Sequence, residues 1–299
     1  MTNFIIIAVS ILTGILFKKF KALPKDSHKA INTWVIYIAL PAITLLNIPK
    51  MQWNPDLIFP ILMPLIVFIT AFLLVEIYGK FKPVSRKTKA SIILTVGLSN
   101  VSFLGFPLTE AYYGAKGLQL AILCDQASFM VVSTLGILTA THASGSSSRF
   151  DFKLILYKLV TFPPTIAFIA AFVIPRFINL EKFDPVFESL GATMVPMALF
   201  SVGLQLQFKE WKADKTLLLG SLVYKLALAP MFIFLISWFF IIEKLYVQVS
   251  VLEAAMAPMV TGSIIATEFN LKPKLSTMIL SFGIPFSFIT TYFWFLILS

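Results

Sequence analysis

Three ionisable side chains lie inside stretches of sequence that are otherwise apolar: Asp125, Lys225 and Glu253. A charge in apolar surroundings is costly unless it is paired or changes its protonation state, so each is a candidate functional group. Asp125 could bind a proton, and Lys225 could neutralise it or attract an anion. The alternatives are that Lys225 extends its long stem to the cytoplasmic surface, and that water outside reaches Asp125 and Glu253.

A further pair of charges stands near the end of another apolar stretch. Glu76 and Lys80 are four residues apart, so on a helix they would be neighbours on one face. The spacing predicts an ion pair at a membrane interface.

Polar and helix-breaking residues interrupt two of the apolar stretches near their middles. Residues 97–108 contain Asn100, Ser102, Gly105 and Pro107, and residues 253–263 contain Pro258 and Thr261. A broken helix is tolerated at membrane depth only where its freed backbone is buried in protein or lines a cavity. The N-termini of two half-helices would offer N–H groups and positive partial charge to an anion. The alternative is two kinked helices that pack closely through small residues.

The elements that must position these residues are membrane-spanning helices. The chain is 58% hydrophobic with a mean hydropathy of +0.90 over 299 residues, which is too apolar for a soluble domain. Each predicted span has about the 20 residues needed to cross a bilayer, except the short first one. The ten predicted spans are residues 4–17, 31–48, 57–78, 90–113, 118–141, 159–178, 187–206, 216–242, 245–269 and 275–298.

The basic residues that give the chain its net charge of +10 are concentrated in alternate loops. Alternate loops between the spans are rich in lysine and arginine, and the loops between them have few. By the positive-inside rule the basic loops are cytoplasmic, which predicts a multi-pass protein of the plasma membrane with both termini outside. The charge therefore gives no reason to expect a nucleic-acid partner. With Cys124 as the single cysteine and only two histidines, we expect no disulfide, no metal site and no cofactor.

Prolines indicate an internal repeat. Pro41 and Pro107 interrupt the second and fourth spans, and Pro196 and Pro258 interrupt the seventh and ninth at a similar spacing. Because the offset is five spans, an odd number, the second half would be inverted in the membrane. We predict repeats at residues 1–142 and 153–299, joined by a cytoplasmic linker at 143–152. The alternative is that proline is simply common in membrane helices.

Several motifs resemble the auxin efflux carrier superfamily, which includes plant auxin exporters and bacterial malate and malonate permeases. The matching segments are residues 39–41, 100–108, 113–114, 197–204 and 266–273. The resemblance implies ten helices in two inverted repeats, similar to bile-acid and sodium/proton transporters. It also implies a homodimer in which helices 1, 2, 6 and 7 form a scaffold. Helices 3–5 and 8–10 would move as a transport domain, with broken helices 4 and 9 crossing at the site.

The same resemblance implies roles for particular residues. Asn100 and Gln126 match polar residues that contact substrate in plant members, and Glu76 and Lys80 match a pair proposed to support transport. Pro258 is shifted by one residue from the family's proline in helix 9, so the crossing point is left open. The residues around the site differ from plant members, so auxin itself is not the expected substrate.

These observations predict a secondary active transporter of a small organic anion, a mono- or dicarboxylate, that works by an elevator mechanism. The residues of the predicted substrate site are Asn100, Ser102, Gly105, Pro107, Gln126, Pro258 and Thr261. A proton on Asp125 or Glu76, a sodium ion or the membrane potential would drive it. The alternatives are a sodium-coupled symporter of the bile-acid type and a membrane receptor that binds its ligand without moving it. An intramembrane enzyme is disfavoured because no catalytic pair of carboxylates stands at a matched depth.

Overall fold

The protein is described by a computed structural model that covers residues 2–145, 157, 160–206 and 215–299. Within these ranges every named element is a helix, which confirms the expected all-α class. Helices suit a membrane because they satisfy their backbone hydrogen bonds internally. The larger part of the predicted linker, residues 146–152, lies outside the described ranges.

We number the α-helices of the described ranges in chain order. They are α1 (Thr2–Phe20), α2 (Ser27–Trp34), α3 (Leu40–Asn47), α4 (Ile58–Phe81), α5 (Arg86–Val96), α6 (Phe106–Val131), α7 (Ile137–Ser144), α8 (Pro163–Val173), α9 (Asp184–Gly191), α10 (Met194–Gln205), α11 (Lys215–Val223), α12 (Ala229–Ser237), α13 (Lys244–Ala254), α14 (Val260–Glu268) and α15 (Pro273–Leu298). Four wider π-helical turns connect some of them, at Val35–Ala39, Val101–Gly105, Val132–Gly136 and Tyr224–Leu228.

Six helical stretches of the described ranges are long and apolar enough to cross a membrane: Ser27–Lys50, Pro55–Phe81, Val101–Ser144, Leu180–Gln205, Lys215–Ser237 and Pro273–Leu298. The chain is therefore a multi-pass membrane protein. Val101–Ser144 has 44 residues, about twice the number that one crossing of a bilayer needs. It bends at Gly114, whose φ of 66° is not helical.

Three prolines follow π-helical turns directly. Pro41, Pro107 and Pro230 are each the second residue of an α-helix that begins where such a turn ends. Proline lacks an N–H and its ring crowds the preceding turn, and a π-helical turn relieves this by changing the hydrogen-bond register. Pro107 therefore lies within a continuous helical stretch, and the interruption of the fourth span occurs before it.

The chain divides into two compact units. The first comprises Met1–Asn54, Ser102–Ile122 and Tyr157–Leu206, and the second comprises Pro55–Val101, Leu123–Leu156 and Gln207–Ser299. In the first unit, α1 packs along α10, and α3 packs against α8 and α9. The backbones of α1 and α10 touch, because a Cβ on Gly14 would lie 2.3 Å from the carbonyl oxygen of Phe200 and 3.0 Å from the Cα of Gly203.

The second unit is built around α5, which contacts α4, α7, α14 and α15. Its buried core includes Ile93 and Leu94 on α5 and Ile265 on α14. The backbones of these two helices also touch, since a Cβ on Gly262 would lie 1.8 Å from the carbonyl oxygen of Leu94. The short helix α5 is thus fixed on several sides, which holds the chain that follows it in place.

Candidate functional site

Two non-helical segments pair at the centre of the second unit. α5 ends at Val96 and α13 ends at Ala254, and neither chain resumes a helical path for several residues. Between them, Ser99 and Pro258 form an antiparallel bridge. The N–H of Asn100 donates to the carbonyl of Ala257 at 2.9 Å, and the N–H of Met259 donates to the carbonyl of Thr95 at 3.1 Å. Each segment therefore satisfies backbone groups that the other loses by leaving the helix.

Pro258 fits at this crossing because its neighbour on α15 has no side chain. A Cβ on Gly283 would lie 2.4 Å from the Cδ of Pro258. The sequence did not fix where the ninth predicted span crosses the fourth. In the structure the two segments pair at Pro258 and Ser99.

A lysine ties the two segments together. The side chain of Lys225 is fully buried, and its ammonium donates to the hydroxyl of Ser99 at 2.6 Å and to the carbonyl of Ala254 at 3.0 Å. Ala254 is the last residue of α13, where helix carbonyls without partners carry negative partial charge. The alternative in which Lys225 reaches the cytoplasmic surface is wrong, because these two acceptors hold its head group inside.

The π-helical turn that carries Lys225 is held from two sides. The hydroxyl of Tyr224 donates to the carbonyl of Val67 at 2.5 Å and lies 2.8 Å from the hydroxyl of Thr70, both on α4. The indole N–H of Trp294 on α15 donates to the carbonyl of Leu226 at 3.1 Å. These bonds fix the position from which the lysine stem reaches the crossing.

One buried carboxylate acts on this lysine, and a second acts on the same thiol as the first. Glu253 is fully buried, precedes Ala254 and interacts electrostatically with Lys225. Asp125 on α6 is buried too, and both carboxylates interact electrostatically with the thiol of Cys124. The expectation that water outside reaches these two acids is wrong for the described structure. Both side chains are buried among the helices of the second unit.

Three buried polar atoms of the second unit have no hydrogen-bond partner in the described part of the chain. They are Nδ2 of Asn100 and the hydroxyls of Ser128 and Ser250, on side chains that are 4%, 1% and 0% exposed. Buried polar groups are normally bonded, so this amide is available to bond a ligand or an ordered water. Neither serine was expected from the sequence. The available signal was their spacing, three residues from Asp125 and from Glu253, which places each on the same helix face as its carboxylate.

The remaining predicted site residues fall in different places. Gln126 is buried beside Asp125 in the second unit. Ser102, Gly105 and Pro107 belong to the first unit, in the π-helical turn and the start of α6. Thr261 is the second residue of α14, and its side chain is exposed.

The ion pair at the end of α4 has a different partner from the one expected. The ammonium of Lys89 on α5 lies 2.7 Å from a carboxylate oxygen of Glu76, whereas Lys80 is exposed and forms no ion pair among the described residues. The physical reason is Gly79. A Cβ there would lie 2.2 Å from Cε of Lys89, so the missing side chain gives the lysine stem its path to Glu76.

Comparisons with known proteins agree along the whole chain. A family model described as "Membrane transport protein" matches residues 1–295. A protein named "Uncharacterized transporter MJ1031" from Methanocaldococcus jannaschii is 26% identical over 97% of this chain and 96% of its own length. An "Uncharacterized transporter" from Methanothermobacter thermautotrophicus is 25% identical over 98% and 96%. "Uncharacterized transporter YfdV" from Escherichia coli K12 is 24% identical over 96% and 94%.

Proposed function

Because the chain belongs to the membrane transport protein family, the auxin efflux carrier family that its motifs indicated, we propose that it is a secondary active transporter of a small organic anion. The substrate is a mono- or dicarboxylate. The observation that carries this proposal is the buried ammonium of Lys225 at the crossing of two broken helices. It bonds Ser99, and the next residue, Asn100, has a buried amide with no partner in the described chain.

The crossing has the donors that a carboxylate needs. An ammonium has three N–H donors, and Lys225 directs two of them to Ser99 and Ala254, so one is left for a ligand. Nδ2 of Asn100 supplies a further donor. Hydrogen bonds to an ionised partner are stronger than those between neutral groups, which favours a carboxylate over an uncharged ligand. α14 begins at Val260, directly after the bridge, and adds the positive end of its dipole.

We further propose that the substrate moves with an elevator-like transport domain in a ten-helix protein with two inverted repeats. Support comes from the division of the chain, in which residues 55–101 and 207–299 share one compact unit and residues 1–54 and 157–206 share the other. The division differs from the expected one at residues 102–122, which group with the first unit. A homodimer in the plasma membrane, with both termini outside, completes the proposal.

Transport by the purified full-length chain in proteoliposomes tests this function. We expect uptake of at least one acid from a panel of mono- and dicarboxylates, measured as radiolabel or as current on a supported membrane. The substitution Asn100→Ala removes a donor and is expected to abolish that uptake while the protein stays folded. Binding of the acid without flux would favour the receptor, and uptake that requires sodium would favour the symporter of the bile-acid type.

A further inference from the structure

We propose that a monocarboxylate binds at the crossing together with one proton, which is taken up by the pair of carboxylates Asp125 and Glu253. The inference rests on the proposed transport function and names its coupling ion and its preferred substrate class. Either acid is a candidate for the proton, because both are buried and both act on the thiol of Cys124.

The buried side chains of the described structure include more acids than bases. Among the described residues, three side chains that can carry a full charge at neutral pH are buried: Lys225, Glu253 and Asp125. The two carboxylates exceed the single ammonium by one negative charge. A bound carboxylate would raise the number of buried negative charges to three, which is costly in a poorly solvated region. Protonation of one acid restores the original balance.

Each acid has a buried serine one helical turn away whose hydroxyl has no hydrogen-bond partner in the described chain. The hydroxyl of Ser128 lies one helical turn from Asp125, and the hydroxyl of Ser250 lies one turn from Glu253. Both serine side chains are at least nine-tenths buried. A hydroxyl can donate to an ionised carboxylate and can accept from a protonated one. The serines therefore suit an acid that changes its protonation state during a cycle.

Other ionisable groups surround the two acids. Lys225 acts on Glu253, and both acids act on the thiol of Cys124. α13 packs against α4, α12 and α15, and α12 has no charged residue. Tyr224 is engaged by Val67 and Thr70. The other titratable groups on the packed helices are Glu76, Tyr78 and Lys80 on α4, Lys244 and Tyr246 on α13, and Lys274 and Tyr292 on α15.

The two acids are sufficient to take up a proton. A proton needs one carboxylate oxygen only. Because linkage is reciprocal, an anion that binds better to the protonated pair must also make the pair bind its proton more tightly.

Lactate, a monocarboxylate, and malonate, a dicarboxylate, are the probes for the test in proteoliposomes. With an inward proton gradient, we expect lactate to enter faster than in protein-free liposomes, and its accumulation ratio to approach about tenfold for each pH unit, the limit for one proton per anion. An imposed membrane potential should leave lactate accumulation unchanged, because an anion and a proton together carry no net charge. Malonate is expected to accumulate less and to respond to the potential.

The matched variants are Asp125→Asn and Glu253→Gln, with Glu268→Gln at an exposed position as the control. At least one of the first two should lose accumulation driven by the pH gradient while it keeps exchange of lactate for lactate. Accumulation driven by sodium, or by the potential alone, would overturn the proton coupling and leave transport intact. Electroneutral accumulation of malonate would overturn the assignment of a single proton.

A readout without substrate separates this inference from the proposed function. Infrared difference spectra of the purified protein across a pH range should contain a band of a protonated buried carboxyl group, and this band should be lost in Asp125→Asn or Glu253→Gln. If neither variant alters the spectrum, the proton site is overturned. If the band is lost as expected but neither acid crosses the membrane, the proposed transport of carboxylates fails instead.

Discussion

The ammonium of Lys225 donates a hydrogen bond of 2.6 Å to the hydroxyl of Ser99, 126 residues away in the sequence. The same ammonium also bonds the carbonyl of Ala254. One side chain thus joins a π-helical turn to both broken segments. Since each broken segment leaves its own helix, this lysine supplies part of what holds the crossing together.

The first prediction concerns that lysine. Lys225→Met removes the buried cation that acts on Glu253 and bonds Ser99 and Ala254, so we expect the free energy of unfolding to fall by about 3–5 kcal/mol. Adding Glu253→Gln should recover a large part of the loss. Unfolding by denaturant in detergent micelles measures both. Lys215→Met, at an exposed position, is the control with an expected change of about 0.5 kcal/mol or less.

The two buried asparagines provide a matched pair for the second prediction. Nδ2 of Asn47 donates to the carbonyl of Ile43 at 2.9 Å, whereas Nδ2 of Asn100 has no partner in the described chain. Asn47→Ala should therefore lower the free energy of unfolding by about 1 kcal/mol more than Asn100→Ala does. Carboxylate uptake should show the opposite order, with the loss in Asn100→Ala. An equal loss of stability in both variants would argue that Asn100 has a structural role.

Glycines in two helices of the second unit give the third prediction. Gly262→Ala would place Cβ against the carbonyl oxygen of Leu94, so α14 must move away from α5. We expect a loss of stability of about 1–3 kcal/mol and a loss of flux. Gly220→Ala meets no atom within 4 Å, and removing a glycine from α11 should stabilise the protein by about 0.5–1 kcal/mol. Thermal unfolding of the two variants should therefore shift in opposite directions.

The corrected ion pair gives the fourth prediction. A double-mutant cycle with Glu76→Gln and Lys89→Met should give a coupling energy of about 0.2–1 kcal/mol, because the side chain of Glu76 is 42% exposed. The cycle of Glu76→Gln with Lys80→Met should give none. Gly79→Ala should reduce the first coupling, because its methyl group blocks the path of the lysine stem. Coupling to Lys80 instead would restore the local pairing that the sequence predicts.

Local patterns in the sequence were sufficient for some features and insufficient for others. The six long apolar helical stretches follow from runs of apolar residues, and the interruptions at residues 97–100 and 255–259 follow from glycine, proline and polar residues within such runs. The sequence predicts a helix break around Pro107, but that proline lies in a helix that follows a π-helical turn. The break occurs earlier, because the segment after Val96 pairs with a segment more than 150 residues away.

Long-range contacts account for the remaining differences. The spacing of Glu76 and Lys80 on one helix face correctly marks them as neighbours, but Lys89 on the next helix reaches the carboxylate. The direction in which Lys225 extends is also decided by distant acceptors. Sequence spacing reports on neighbours within a helix and carries no information on which helix packs alongside it.

The close contact of Gly14 with Phe200 and Gly203 has a consequence for biosynthesis. Helix α1 is made first, yet the helix whose backbone it touches is complete only after about 190 further residues have been added. At the usual rate of translation this takes roughly 10–40 s. During that interval Gly14 lacks the backbone neighbour that it has in the folded protein, so the contact between α1 and α10 forms late in synthesis.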